Sequence, residues 1–228
     1  MSNSLSTLAN TIATFPGSPP ILKGGIVLID PDSSAVLRII TLQYNPDTLS
    51  RTLQVQGVGG SNSHRSEALR LTGPPVETIK LEAEIDATDQ LEVADKTTVQ
   101  SGILPQLAAL ETIIYPYSSQ LVSNNTLSQM GTLEIAPMES ALSLFIWNKN
   151  RILPVRLTDF SITEEAFDVN LNPIRAKVSL GMRVLNIDDL DYDHKGSSLY
   201  MSYQQNKERL AGMFAGGTLS QLGIKSIP

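Results

Sequence analysis

Arg175-Ala176-Lys177-Val178-Ser179-Leu180-Gly181-Met182-Arg183-Val184 sets Ala176, Val178, Leu180, Met182 and Val184 against polar or small neighbours at every second position. Successive side chains of a strand point to opposite faces, so this is a strand with one buried face and one wet face. Immediately upstream, Asn170 to Pro173 reads as a turn, and before it runs the segment Arg151 to Asp168. That segment is too long for one regular strand. Its apolar phase slips between Val155-Leu157 and Phe160-Ile162, which predicts a bulge or bend. Together the two segments form a hairpin with arms of roughly ten residues, each about 33 Å long at the strand rise.

The same alternation recurs in Glu77 to Asp86, where Ile79, Leu81, Ala83 and Ile85 share a face, and Gly73-Pro74-Pro75 fixes its start. Gly25 to Asp30 and Ala35 to Tyr44 read as two strands around the turn-like Asp30-Pro31-Asp32-Ser33-Ser34. Leu142 to Trp147 is apolar on both faces and is expected to be covered on both. A helix is predicted from Leu104 to Tyr115, with Pro105 in its first turn and Pro116 ending it. Residues 89–101 and 117–137 read as loops. After the acidic run Asp188 to Asp193, a second helix is expected from Ser197 to Phe214, with Leu199, Tyr203, Leu210 and Phe214 on one face. That face must dock on the body or on a neighbour, because a lone helix of this length is marginal in water. The expected organisation is an N-terminal arm (1–23), a β domain (24–190) and a C-terminal helical extension (191–228). The expected fold class is mainly β, an antiparallel domain with one central helix, flanked by two arms.

The composition narrows the function. Of 228 residues, 41% are hydrophobic and only 5% aromatic, so the core is built from aliphatic side chains. The net charge of -6, with no cluster of Lys and Arg, argues against nucleic-acid binding and against direct attachment to a membrane surface. Absence of cysteine excludes disulfides, thiolate metal sites and a thiol nucleophile. Met1 to Thr14 lacks the basic start and apolar run of a signal peptide, so synthesis and assembly in the cytoplasm are expected.

No constellation of residues reads as catalytic. The two histidines, His64 and His194, sit in polar, loop-like surroundings without triad partners nearby. Glu164 and Glu165 are adjacent on a strand and point to opposite faces, so they cannot share a proton-transfer site. Asp189, Asp191 and Asp193 begin like a calcium loop, but His194 and Tyr200 stand where that loop needs Gly and Glu. Gly57-Val58-Gly59-Gly60 lacks the Lys-Ser/Thr of a phosphate loop. Gly212 and Gly216 have a small-xxx-small spacing in a run too short to span a bilayer. The expectation is a non-enzymatic protein with no cofactor and no metal.

Several stretches resemble the tube-protein family of contractile injection systems, the phage-tail-like particles of bacteria. These are Leu42-Gln43-Tyr44-Asn45-Pro46-Asp47-Thr48-Leu49, Gly73-Pro74-Pro75 with the strand that follows, Leu144-Phe145-Ile146-Trp147, and the block from Ile162 through Asn172-Pro173-Ile174-Arg175 to Leu185. The resemblance covers roughly residues 24–190. It implies a tail-tube fold, a β-sandwich or barrel of two packed antiparallel sheets with one edge helix and a C-terminal helical extension, with six copies in a ring and hairpins from neighbours joined into one β-barrel around a lumen. A ring would also close the sheet edges that a lone domain leaves open. The implied partners are other copies of itself, inner-tube proteins, the spike hub, and baseplate and sheath components. The leading arm, loop-rich middle and C-terminal extension favour a ring at the base of the tube, linking hub and baseplate to the tube and initiating its polymerisation. The alternatives are a repeating inner-tube protein and, in another class, a carbohydrate- or peptidoglycan-binding β module. Longer relatives end in a LysM-type module; none is read here, and the extension from Asp188 is the expected docking element in its place. Candidate interface residues under this resemblance are Tyr44, Asn45 and Pro46; Glu164, Glu165 and Phe167; Asn172, Pro173 and Arg175; and Tyr200 and Tyr203 in the extension.

Overall fold

The computed structural model describes residues 21–57, 70–129 and 140–227. Residues 1–20 of the expected N-terminal arm, His64, Val58-Gly59-Gly60 and residues 130–137 of the second expected loop lie outside the described residues. Seven strands are described: β1 (Gly25–Ile29), β2 (Val36–Thr41), β3 (Leu49–Gln54), β4 (Val76–Asp86), β5 (Leu142–Asn148), β6 (Arg151–Phe167) and β7 (Pro173–Val184). They form one antiparallel sheet in the order β2-β1-β5-β6-β7-β4-β3. Helices α1 (Thr88–Glu92), α2 (Lys96–Ser101), α3 (Leu104–Glu111) and α4 (Ser118–Gln129) fall between β4 and β5, and α5 (Lys195–Gly212) follows β7.

The mainly antiparallel class is as expected, but the two separate sheets are corrected to one. The 17-residue β6 is the reason. Its first residues pair with β5, from Arg151↔Asn148 to Val155↔Ser143, and the rest pair with β7, from Val155↔Val184 to Phe167↔Pro173. Two lobes therefore share one strand and overlap around Val155, where hydrogen bonding never breaks. The predicted phase slip is present as a register shift between Leu157 and Asp159. Opposite it, Gly181 makes room: a Cβ there would stand 2.7 Å from Asp159 Oδ2. A bulge of this kind sharpens the local twist, which is how one sheet can turn its two lobes onto a common core.

The main core is one cluster, and Ile29, Leu142 and Leu144 form a second, smaller one. Ile26, Phe145 and Leu153 from one lobe meet Ile79, Leu180 and Met182 from the other, all nearly or fully buried. Ile103, Leu107 and Leu110 of the α3 region cover it, and Tyr200 and Tyr203 of α5 complete it. Full burial of each large aliphatic side chain contributes about 1.5–3 kcal/mol. Helix α3 matches the predicted start and stops four residues short of Tyr115. The loops expected over 89–101 and 117–137 instead contain α1, α2 and α4. None of the residues in α1 or α4 is buried, so these helices carry no apolar stripe that the sequence could reveal.

Candidate assembly surfaces

The hairpin β6–β7 and the adjoining β4 present a face whose residues are dictated by the pleat. In register, Thr163, Lys177 and Glu84 stand side by side, as do Ser161, Ser179 and Glu82. All six are exposed, while Ile85, Ala176, Val178 and Ala83 of the same strands point the other way and are buried. This is a broad hydrophilic wall with charges of both signs. Lys177 Nζ lies 3.5 Å from Glu165 Oε1, and Arg175 Nε donates to Asp86 Oδ2 at 2.7 Å across to β4.

The sheet ends in two open edges, six-residue strands at each side. Among the described residues no strand pairs with the outer side of β2 or of β3. Strand β2 exposes Val36, Leu37 and Ile39, and no proline or glycine interrupts it. Arg38 ties it back to α3 through Thr112 Oγ1 and the Ala109 carbonyl. An unblunted edge with apolar side chains is a template for another strand.

The hairpin end is built to stay rigid. The Asp168 carboxylate accepts hydrogen bonds from the backbone N–H groups of Asn170 (2.7 Å) and Asn172 (2.8 Å) and from Asn172 Nδ2 (2.9 Å). The Asn172 side chain and backbone, with Asn170, hold the Asp168 carboxyl below its ordinary range. Behind the turn, Ile103 N donates to the Pro173 carbonyl at 2.9 Å. Gly102, at φ +57°, permits that contact, since a Cβ there would collide with the same carbonyl oxygen.

The predicted interface residues divide into four groups. Tyr44, Glu164, Arg175 and Phe167 are exposed, with Phe167 near the hairpin end. Asn45, Glu165 and Asn172 work within the chain: Asn45 accepts from Gly24 N (2.9 Å) and donates to Leu22 O (2.8 Å), which clips the start of β1 to the β2–β3 connection. Pro46 lies half-buried beside Asn45. Tyr200, Tyr203 and Pro173 are buried within their own chain. The physical reason for the tyrosines is a clasp that holds α5 against the sheet. Glu77 is 3% exposed and accepts from Arg51 Nε at 2.7 Å, with Tyr203 Oη 3.4 Å away and Lys207 Nζ at 3.7 Å. Arg51 also donates to Tyr203 Oη at 2.9 Å, and the Lys207 ammonium lies 4.2 Å over the Tyr203 ring. Burial and the Glu77 charge push the Tyr203 hydroxyl up, and burial pushes the Lys207 ammonium down.

Glu77 was legible in principle. It lies in phase with Ile79, Leu81 and Ala83, so a charged residue on the buried face had to find ionic partners. His194 caps α5, its Nδ1 accepting from Gly196 N at 3.0 Å. Asp189 is occupied by Arg183 Nη2 (2.6 Å) and by Asn186 N (3.2 Å). Among the described residues, no group of three or more His, Asp or Glu is placed to hold a metal ion. No described helix is long and apolar enough to cross a membrane.

Fold and surfaces together define an antiparallel β protein with an open-edged sheet, a rigid hairpin and a clasped C-terminal helix. No family profile and no curated protein matches this chain. Among solved structures, it is similar to a chain in the tail of an empty gene transfer agent particle with C6 symmetry (14% identity, TM-score 0.28). It is also similar to a chain in the virion of a native gene transfer agent particle (12% identity, TM-score 0.26). Each match covers 71% of this chain and 90% of the other.

Proposed function

We propose that this chain is a structural, non-enzymatic subunit of a phage-tail-like contractile injection system. Six copies form a ring at the base of the inner tube, joining the spike hub and baseplate to the tube and giving it a starting template. The observation that carries this reading is the pair of open edges, β2 and β3, on one sheet whose hairpin face is hydrophilic along its length. Edges of this kind are satisfied when neighbouring copies supply strands, and a closed ring leaves none over. The hydrophilic wall of β4, β6 and β7 then suits the lining of a water-filled lumen.

A carbohydrate-binding module would present an aromatic platform. The single tryptophan, Trp147, instead stacks on Phe145 at 6.0 Å between ring centroids and packs against the core. Negative-stain microscopy of the purified chain, alone and with the spike hub, tests the proposal. Six-fold rings in either preparation are expected. A chain that stays monomeric in both would refute it.

A further inference from the structure

Two surfaces at opposite ends of β7 carry matching apolar character and opposite charge. The first is the C-terminal arm beyond the clasp. Past Lys207 the apolar side of α5 leaves the body, so that Leu210, Met213 and Phe214 are exposed, Phe214 to 81%. Leu222 and Ile227 of the tail are exposed as well. Beyond the clasp, residues 208–228 hold Arg209 and Lys225 against Glu208, a balance of +1 in a chain whose total is -6.

The second surface is the hairpin end. Phe167, Val169 and Leu171 are exposed there, Val169 almost completely. Leu171 is held in the left-handed region at φ +64°, and non-glycine residues in that region mark segments whose shape the surroundings impose. Val99 and Leu104 of the bracing helices α2 and α3 add to the apolar surface. The charge here is acidic: residues 84–104 hold five acids against Lys96, and residues 164–177 three against Arg175 and Lys177, a balance of -5.

The clasp sits near the Arg183 end of β7, because Thr78, next to Glu77, pairs with Arg183. The hairpin end begins at Pro173, about 35 Å away at the strand rise. In the structure the arm therefore does not cover its own hairpin end, and both apolar surfaces stay open. Apolar surface left exposed beside organised charge marks a site of protein contact.

We propose that the C-terminal arm of one copy docks on the hairpin end of a second copy of this chain. Arg209 and Lys225 of the arm meet the acidic end, and Phe214 with its neighbours covers the Phe167, Val169 and Leu171 surface. The contact is heterologous, using two different surfaces, so successive contacts either close into a ring or continue as a stack. It goes beyond the ring reading and needs only two copies.

The test is sedimentation of the full chain between about 50 mM and about 500 mM salt, a range over which exposed charges become screened. One variant carries Arg209→Glu with Lys225→Glu, and the other carries Asp89→Lys with Glu92→Lys. All four side chains are exposed and lie outside the clasp. Self-association weakened by salt is expected for the parent. Each variant alone is expected to need at least tenfold more protein to associate, and an equimolar mixture is expected to recover the parent behaviour. Phe214→Ser is expected to weaken association at every salt concentration.

Association unchanged in the variants, or a mixture that fails to recover, overturns the proposal. Six-fold rings that persist unaltered in the arm variant would remove this contact and leave the ring reading standing. Salt-sensitive pairing rescued by the mixture, with no ring under any condition, would do the reverse. Should a charge-reversed variant lose its β-sheet circular dichroism, Arg209→Gln with Lys225→Gln reads the same contact with a gentler change.

Discussion

Glu77 decides how the C-terminal extension is attached. Its carboxylate is almost fully buried and faces Arg51, Tyr203 and Lys207, so removing it leaves two cations and a hydroxyl without their shared partner. Glu77→Ala is expected to destabilise the fold by about 1–3 kcal/mol, the usual cost of a lost hydrogen-bonded ionic partner. Urea unfolding checks this. Met182 is fully buried in the shared core, and Met182→Ala is expected to cost about 2–5 kcal/mol through lost contacts and the cavity left behind. The two variants separate by local opening. Only the Glu77 change should speed amide exchange in α5 more than in β7, because Glu77 fastens the helix and Met182 fastens the sheet. At this scale the sequence was uneven. The parity of β4 and β7 named the buried residues, Met182 among them. Glu77 shares that parity, yet its partners come from β3 and α5, and pairing across so much chain leaves no local trace.

The hairpin end shows the same division among elements. Alternation in β7, the turn at Asn170 to Pro173 and the phase slip in β6 were readable, and the bulge lies where the slip fell. Strand β3 and helix α4 were not. Leu49–Gln54 has no clean alternation and becomes a strand by pairing with β4 from Leu49↔Leu81 to Gln54↔Val76. Helix α4 scatters Leu121, Val122 and Leu127 around its axis, all exposed, and buries nothing, so no periodicity betrays it.

The bracing of the hairpin end predicts its behaviour in acid. The Asp168 carboxyl is held low by Asn172 and Asn170, and the Asp95 carboxyl by the N–H and hydroxyl of Thr98. A carboxyl depressed in the folded state favours folding above its unfolded pKa, and the benefit fades as pH falls through the folded value. Both segments are therefore expected to loosen below about pH 4, ahead of the sheet. Amide exchange at Asn172 and Thr98, followed down in pH, reads this directly; equal protection at pH 3 and pH 7 would contradict it. Gly102→Ala should loosen the same end at neutral pH, with a loss of about 1–3 kcal/mol from a strained backbone and the clash with Pro173.

At the scale of the molecule the governing feature is one sheet with two lobes, a buried centre and two edges that no described strand covers. Two sheets are what the resemblance to tail-tube proteins implies, and strand alternation by itself does not say how many ladders the strands form. Only the pairing of β6 with both β5 and β7 shows that a single ladder joins them. The claim that identical neighbours complete β2 and β3 is open to direct measurement, because the chain contains no cysteine and any disulfide reports an introduced pair. Cysteines placed at Leu37, Ile39 or Thr41 of β2, each combined with one at Ser50, Thr52 or Gln54 of β3, sample the possible registers of an edge-to-edge contact. Under mild oxidation, at least one combination is predicted to give a ladder of cross-linked species ending at six chains. Monomer alone from every combination, at concentrations where the parent chain is assembled, would contradict it.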